Sequence, residues 1–371
     1  MKTIHINCKG SIKNCILIIF FYFLISLQLF AQSLDLISLS LEDKTSEPNK
    51  TNLYIPDILG YNTFKCDFHL HTVFSDGAVW PTVRVNEAVR DGLDVIAITD
   101  HLPGRKNKEY ISGDHNSSYD IALPSAKSKG ITLIKGAELT FSAKNGHYNA
   151  LFITDANAIA DSVSIFKCID VAVSQGAFIT WNHPCWRLSK NDVNPEIQGK
   201  LISEGKINGV EVFNSNNIYP LGLYLCANEN FVFMSGSDAH NPIQKTEGQF
   251  SRPLTLVFAE NKSEAAIKKA LFGGRTLVLS HNIFAGRESY LRAMFDACIK
   301  LSFSSGKCII TNASDIPFKL QINEESSEIN VKEKASVTYK IKGDKKKLHI
   351  KVLNMLVNND KYLVFTEESI L

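Results

Sequence analysis

Short apolar runs alternate with helical segments from Tyr61 to about Ser280. The candidate strands are CDFHLH, DVIAIT, TLIKGA, HYNALFI, AFITWN, GVEVF and FVFMSG. The segments between them include PTVRVNEAVRDG, in which apolar residues partly follow helical spacing and which ends at Gly92. Strands that alternate with helices are typical of a parallel sheet. About seven such units in roughly 220 residues favour an α/β fold closed into a barrel, with an open doubly wound sheet as the alternative.

The pattern changes after about Phe284, where short alternating or β-branched runs are separated by Gly, Asn, Asp and Ser. This pattern predicts a small antiparallel β-sandwich over residues 284–371, which follows a barrel domain over residues 61–283. The sequence of the sandwich segment shows no catalytic constellation. We therefore expect the sandwich to stabilise or cover the barrel.

The N-terminus has the features of a signal peptide over residues 1–31. Three lysines precede an apolar run from about Ile16 to Phe30. We expect cleavage after Ala31 and export to the periplasm or the exterior. An uncleaved leader, which would attach the protein to the membrane, is the alternative. Residues 32–60 are polar and are predicted to form an extended lead-in to the barrel.

The composition fits a packed globular protein, because 44% of the residues are apolar. Loss of the leader removes Lys2, Lys9 and Lys13 and no acidic residue, so the formal net charge falls from +2 to −1. A nearly neutral mature chain argues against specific nucleic-acid binding.

The six remaining cysteines lack tight spacing, which disfavours a disulfide framework, although Cys298 with Cys308 is one pair to consider. The sequence predicts no oligomeric state.

Two histidines end the first candidate strand, and an acidic residue follows in the next loop. Residues two apart on a strand point to the same side, so His69 and His71 can bind one metal ion while Asp76 approaches from the loop. Taken alone, a pair of this kind is as well explained by surface or core histidines that bind no metal ion. Cys66 lies on the opposite face of the strand from His69, and we expect it to pack in the barrel wall.

Other strand boundaries carry further candidate ligands, which are His101, Glu138, His147, His183, Asp238 and His240. In a parallel barrel the strand ends share one rim, where active sites are built. Nine candidates exceed the roughly four ligands of a tetrahedral zinc ion, but they suffice for two or three divalent ions that share a carboxylate. Imidazole and carboxylate without thiolate suit zinc, manganese or iron.

The ordered motifs HxHxxxxSD, TDH, GxE, a following His, NHP and SDAH resemble those of the PHP (polymerase and histidinol phosphatase) superfamily of metallophosphoesterases. The resemblance covers roughly residues 64–245. It implies a distorted (βα)7 barrel with a metal cluster. The stretch from WPTVRVNEAV through RPLTLVFA to the C-terminal β-region also resembles a secreted bacterial subgroup described as phosphodiesterases.

The resemblance further implies three sets of metal ligands. His69, His71, Glu138 and Asp238 would hold one ion; Glu138, His147 and His183 would hold a second; Asp76, His101 and His240 would hold a third. Asp76 stands where several family members have histidine. Two ions are therefore the alternative to three.

Phosphoester hydrolysis suits such a cluster. Metal-bound water has a pKa lowered toward neutrality, and two ions about 3.5–4 Å apart can stabilise the entering and leaving oxygens. We therefore expect a metal-activated hydroxide to attack the phosphorus of a small phosphoester, with Glu138 and Asp238 as catalytic residues. A phosphodiester is favoured over a monoester.

Substrate contacts are predicted in the loop that follows the second strand. Arg105 and His115 would bind phosphate or protonate the leaving group, with a solvated basic loop as the alternative. Trp181 and Trp186 flank His183 and offer either an apolar wall for an ester group or simple packing.

Other functions stay open at this point. An amidohydrolase also carries His-x-His on its first barrel strand. It often needs a carbamylated lysine at the place where this sequence has Glu138, and Asp76, His101 and His240 would have no role in it. A phosphomonoesterase of histidinol-phosphatase type would differ in its substrate. A non-catalytic metal-binding protein is disfavoured by the full set of ligands. His349 lies outside the series and is expected to be structural.

Overall fold

The computed structural model describes residues 53–162, 164–188, 195–244, 252–323, 325, 327–341 and 347–368, and the backbone of residues 39–40. The predicted signal peptide, its cleavage site and most of the lead-in lie outside these residues. Within the described ranges, no helix has both the length and the apolar character needed to cross a membrane.

The α/β part of the chain alternates strands with helices. Its elements are β1 (Leu39–Ser40), β2 (Asn62–Asp67), α1 (Pro81–Arg90), β3 (Val95–Ile98), β4 (His101–Leu102), α2 (Ser117–Lys129), β5 (Thr132–Thr140), β6 (His147–Leu151), α3 (Ala156–Ala160), α4 (Ile165–Ser174), β7 (Phe178–Asn182), α5 (Pro195–Ser203), β8 (Gly209–Asn214), β9 (Asn217–Ile218), α6 (Pro220–Asn228) and β10 (Val232–Gly236).

The remainder of the described chain is mainly β. Its elements are β11 (Leu254–Ala259), α7 (Glu264–Phe272), β12 (Thr276–Ser280), β13 (Ile283–Gly286), α8 (Glu288–Cys298), β14 (Ile299–Ser304), β15 (Lys307–Asn312), β16 (Phe318–Ile322), β17 (Ile329–Val331), β18 (Ser336–Lys340), β19 (Lys347–Asn358) and β20 (Lys361–Glu368).

Seven strands follow one another around a closed barrel in the order β2-β3-β5-β6-β7-β8-β10. Neighbours are parallel except that β6 is antiparallel to both β5 and β7. Between β10 and β2, Leu70 forms a parallel bridge with Ala239 just beyond the two strands. The strand β11 pairs with β2 and reaches β10 through the Thr255 hydroxyl, which donates to the Ser235 carbonyl at 2.8 Å.

The predicted α/β class is confirmed, but a uniform (βα)7 repeat is not. Residues 141–146 join β5 to β6 and are too few for the helical crossover that a parallel pair needs. They form a turn in which the amides of Asn145 and Gly146 donate to the Ser142 carbonyl, and Gly146 takes a φ of 82°. A pattern of apolar runs does not encode strand direction, and this is why the sequence did not predict the reversal.

Barrel strands are covered on both faces, since every residue of β3, β7, β8 and β10 is buried.

The sequence of helix α1 explains where the helix begins and ends. Pro81 stands in the first turn, where its fixed φ suits a helix and its missing N–H is not needed. Val85 and Ala88 are buried, and Gly92 ends the segment with a φ of 66°.

The C-terminal segment forms antiparallel sheets, as predicted. One sheet has the order β14-β15-β18, and a second has the order β17-β16-β19-β20. Buried and more exposed residues alternate along β14, β15 and β16, as expected for strands with one solvated face. The second sheet also joins the barrel side, because β19 pairs in parallel with β13. The helix α8 packs Phe295 against Phe318 and Phe365 of that sheet.

The disulfide considered between Cys298 and Cys308 is not formed, because both are buried free thiols in the described part of the chain. Cys308 lies opposite Phe303 in the ladder between β14 and β15, whereas Cys298 is the last residue of α8. Cys66 is buried in the barrel wall, as expected.

Candidate metal centre

His69 and His71 follow the end of β2, and both rings are buried. Nδ1 of His69 contacts Glu211 Oε1 at 2.8 Å, while its Nε2 lies 3.4 Å from Glu138 Oε1 and 3.3 Å from Asp238 Oδ1. Nε2 of His71 lies 3.0 Å from Asp238 Oδ1. Among the described residues, His69 Nε2 and His71 Nδ1 have no hydrogen-bond partner. Buried polar atoms are rarely left unpaired, so His69 Nε2, which faces Glu138 and Asp238, is available to a ligand such as a metal ion.

Glu138, on β5, is completely buried at the centre of the cluster. Its Oε1 lies 3.4 Å from His147 Nδ1 and 3.5 Å from His183 Nε2, and Asn182 Nδ2 donates to the same oxygen at 2.9 Å. Its Oε2 lies 2.6 Å from His101 Nδ1. A carboxylate that faces imidazoles from several strands is suited to be shared between metal ions.

Asp76 lies at the outer edge of the cluster, where its side chain is 37% exposed. Its Oδ1 is 3.3 Å from His101 Nε2 and 3.2 Å from His240 Nε2. The rings of His101 and His240 also face His71, at centroid distances of 4.3 and 4.1 Å. This outer group is therefore closer to solvent than the group around Glu138.

All nine candidate ligands from the strand boundaries meet in one place. They form four overlapping groups whose ligand atoms lie within 4.8 Å of one another: His71, Asp76, His101 and His240; His69, His71 and Glu138; His69, His183 and Asp238; Glu138, His147 and His183. The last group coincides with the second set implied by the family resemblance, and the outer group contains the third set. The first implied set is divided between two groups. Imidazole and carboxylate donors grouped in this way are suited to hold divalent metal ions.

Several rings are held through the nitrogen that faces away from the cluster. Such contacts fix the tautomer and direct the other nitrogen inward. Besides the contact of His69 with Glu211, they join His147 Nε2 to the Phe141 carbonyl at 3.0 Å and His240 Nδ1 to the Asp238 carbonyl at 2.8 Å. His101 differs, because its Nδ1 lies 2.6 Å from both Thr140 Oγ1 and Glu138 Oε2.

Opposite charges shift the pKa values within the cluster. Burial opposes protonation of His69, but the neighbouring carboxylates, Asp238 foremost, raise its pKa well above the ordinary value. Burial also opposes a charged His101, yet hydrogen bonding to Asp76 and Glu138 raises its pKa to about 10. Burial favours the neutral form of Glu138, but the charge of His69 and the other imidazoles hold its pKa well below the usual range. These shifts favour ion pairs between His69, His101 and the carboxylates at neutral pH, whereas burial lowers the pKa of His71 to about 4 and keeps that ring neutral.

Two candidate ligands occupy unusual backbone conformations, since φ is 26° at His183 and 52° at Asp238. Non-glycine residues adopt such angles where the surroundings hold them, and they concentrate at functional sites. The His183 amide donates to Glu211 Oε2 at 2.8 Å, and the Asp238 amide donates to the His69 carbonyl at 2.9 Å. Gly236 permits the close approach of these segments, because a Cβ atom there would lie 2.4 Å from His69 Cβ.

Glu211, on β8, is a site residue that the sequence analysis missed. Its buried carboxylate contacts His69 with one oxygen, and its other oxygen accepts hydrogen bonds from the His183 amide and from Asn214 Nδ2, both at 2.8 Å. The available signal was an acidic residue inside the apolar run GVEVF. A buried acid needs partners, so such a residue indicates a polar site.

Arg84, on α1, is a second missed residue. Its fully buried guanidinium donates to the carbonyls of His71 at 2.8 Å, Ala239 at 2.7 Å and Asn241 at 3.0 Å, and it pairs with Glu87 at 2.7 Å. Arg84 therefore ties the His71 segment to the segment that carries Asp238 and His240. No local pattern in the sequence identifies these distant carbonyls.

An open cavity of about 870 Å³ lies over the cluster. Arg105, Lys106, Trp186 and Arg187 line it together with several candidate ligands. The Arg105 guanidinium donates to two carbonyls of its own loop, which hold it at the cavity. His115 is not among the described residues that line this cavity, and burial together with Arg105 lowers its pKa. The structure thus brings Arg105, but not His115, to the open side of the site.

Comparison with known proteins gives matches to both parts of the chain. A family model described as PHP domain matches residues 67–309, and one described as Ig-like domain matches residues 304–368. A two-domain protein from Bacteroides vulgatus, containing a predicted PHP-like metal-dependent phosphoesterase, has a similar crystal structure. It is 36% identical with a TM-score of 0.79, and the match covers 87% of this chain and 99% of that one.

A curated relative is also similar over a short stretch. The 5'-3' exoribonuclease of Haemophilus influenzae is 36% identical over 78 residues, which are 21% of this chain. The matched part spans 24% of the exoribonuclease.

Glu211→Gln keeps the shape of the side chain but removes the negative charge beside His69. We expect the affinity for Mn²⁺ to fall by about 10- to 100-fold, because the partner that orients a ligating imidazole is weakened. Calorimetric titration of metal-stripped protein measures this change. Glu260→Gln is the matched control, because Glu260 is an exposed carboxylate paired with Lys269. An unchanged affinity in Glu211→Gln would contradict the assigned role.

Metal binding should strengthen as pH rises from about 6.5 toward about 8.5, because protons compete with metal for the imidazoles. The raised pKa of His101, about 10, means that this ring carries a proton at neutral pH until a metal ion displaces it. Calorimetry in two buffers of different ionisation enthalpy should therefore detect proton release on Mn²⁺ binding. His101→Gln should release fewer protons and His349→Ala the same number as the wild type. Mn²⁺ binding without proton release would show that the ion does not displace protons from these imidazoles.

Proposed function

Because the chain belongs to the PHP domain family, we propose that it is a metal-dependent phosphoesterase that hydrolyses phosphodiesters. The observation that carries the proposal is the convergence of nine potential ligands, with the buried carboxylate of Glu138 at their centre, on the floor of an open cavity. Divalent ions held by these residues would lower the pKa of bound water and neutralise charge on a phosphoryl group.

The carboxylates of the cavity need positive charge beside them if an anionic substrate is to bind. Glu138, Asp238 and Asp76 form a carboxylate floor whose pKa values are all lowered by the neighbouring imidazoles, in each case against the effect of burial. Divalent cations held by these residues would add the positive charge that a phosphoester requires. Arg105 and Lys106 at the cavity edge are also positively charged and can attract the substrate.

Individual residues of the chain have separate roles in this proposal. Glu138 bridges the inner ligand groups, and Asp238 joins His69 and His183 in another group. Arg105 binds a phosphoryl oxygen. His115 is not assigned as the acid that protonates the leaving group, because its lowered pKa leaves little of the protonated form at neutral pH.

The diester preference is supported by space and by resemblance. A cavity of about 870 Å³ has room for ester groups on both sides of a phosphorus atom. The similarity of the motifs to a secreted subgroup of phosphodiesterases points the same way. An amidohydrolase is less well supported, because Asp76, His101 and His240 would then have no function although they gather in one group.

The turnover experiment compares bis(p-nitrophenyl) phosphate with p-nitrophenyl phosphate, after metal analysis and with added Mn²⁺ or Zn²⁺. Glu138→Gln should lower turnover by at least about 100-fold, because the shared carboxylate is lost. His349→Ala is the matched control, since His349 contacts Thr366 on the C-terminal sheet and should keep full activity. A preference for the monoester would redirect the proposal to a phosphatase. Bound metal without hydrolysis of either ester would reject it, and equal losses in both variants would reject the site.

We also propose that the protein is exported. The proposal is supported by the lysines and the apolar run at the N-terminus. Expression of the full chain in a Gram-negative host should yield a periplasmic protein whose first residue is Gln32, as determined by N-terminal sequencing. Recovery of an uncleaved chain from the membrane fraction would favour an anchor, and an uncleaved chain in the cytoplasm would reject export.

A further inference from the structure

Trp186 and Arg187, in the loop after β7, line part of the cavity. The guanidinium carbon of Arg187 lies 4.4 Å from the centroid of the Trp186 ring, within the range of a cation–π contact. Trp186 is 36% exposed, whereas Trp181 is 3% exposed and belongs to the packed core. Trp186 and Arg187 therefore form a partly open surface of an indole and a guanidinium, which we call the Trp186–Arg187 wall.

The wall is fixed beside the ligand cluster. The indole of Trp186 contacts the rings of His147 and His183, at centroid distances of 5.5 and 5.3 Å. The Trp186 amide donates to the His183 carbonyl at 3.0 Å, and φ values of 26° at His183 and 55° at Arg187 turn the chain sharply here. A substituent on a phosphoryl group held near these histidines would therefore reach the wall.

We propose that the Trp186–Arg187 wall is a subsite for a planar aromatic ester group, so that preferred substrates carry an aryl ring or a nucleobase. This inference rests on the proposed function, because the phosphoryl group is what places the ring. Indole and guanidinium planes both attract a flat π system, whereas a saturated group of similar size gains contact area alone.

Positive charge elsewhere in the cavity complements this subsite. Arg105 and Lys106 line the cavity from the loop after β4, which is separate in sequence from the wall. An anionic phosphoester with one planar substituent would match both features, since its charge is attracted by these cations and its ring stacks on the wall. A ring-free anion would use the cations alone.

The experiment measures ligand binding rather than turnover. Protein loaded with Mn²⁺ is titrated calorimetrically with phenylphosphonate and with cyclohexylphosphonate, which have rings of similar size but different planarity. A second pair is uridine 5′-monophosphate and ribose 5-phosphate, which share the ribose and differ by the nucleobase. We expect the planar member of a pair to bind on the order of tenfold more tightly.

Preference in the first pair alone identifies an aryl subsite, and preference in the second alone identifies a nucleobase subsite. Equal binding within both pairs would overturn the proposal.

Variants of Trp186 distinguish stacking of a ligand ring on the indole from a purely structural packing role of the indole. Trp186→Ala should abolish the planar preference and leave the affinity for methylphosphonate nearly unchanged, while Trp186→Phe should retain most of the preference. Trp80→Ala is the matched control, because Trp80 is 44% exposed, packs on Phe74 and is not among the described residues that line the cavity. Equal loss of all phosphonates in both Trp186 variants would show a packing role and overturn the proposal.

The two proposals fail in different ways. Phosphoester turnover without a planar preference would reject the subsite and leave the proposed function intact. A planar preference without turnover of either nitrophenyl ester would reject the proposed function and the substrate class, while the stacking contact itself would stand.

Discussion

A completely buried carboxylate such as that of Glu138 must be compensated by positive charge or by hydrogen bonds. Imidazoles reach it from several strands, and Asn182 donates to one of its oxygens. In the metal-free protein, protonated imidazoles supply the charge, and their interaction with the carboxylates outweighs burial in raising the pKa of His69, His101 and His183. Divalent ions held by these residues would supply the same compensation, so protons and metal ions would compete for one set of nitrogen atoms.

The reversed strand β6 is what allows this compensation to include His147. His147 begins its strand, and the beginning of a parallel strand would lie at the far end of the barrel from the rim. Because β6 is antiparallel to β5, its first residue pairs with Thr140, the last residue of β5. His147 thus comes to the same rim as Glu138, with its Nδ1 3.4 Å from the carboxylate. The short turn between the strands is therefore part of the construction of the site.

The sequence predicted the ligand cluster better than the details of the fold around it. Strand boundaries located the candidate ligands because the carboxyl ends of parallel strands meet at one rim, to which the reversed β6 also brings its first residue, His147. The α/β class and the C-terminal antiparallel sheets are confirmed. Strand direction was missed, since apolar periodicity is the same for either direction. Glu211 and Arg84 were missed because their roles depend on partners far away in the sequence. The extent of the leader and the domain limits stay predictions.

In the proposed function, the loop after β7 would link metal binding to substrate preference. His183 begins this loop and belongs to two candidate ligand groups, and Trp186 in the same loop contacts its ring. The His183 amide is in turn held by Glu211, whose other oxygen holds His69. A change at Glu211 should therefore disturb both the metal ligands and the Trp186–Arg187 wall. A change confined to the exposed face of Trp186 should disturb ring recognition alone. The difference arises because Glu211 contacts both His69 and the His183 amide, whereas Trp186 contacts the rings of His147 and His183 from the cavity side.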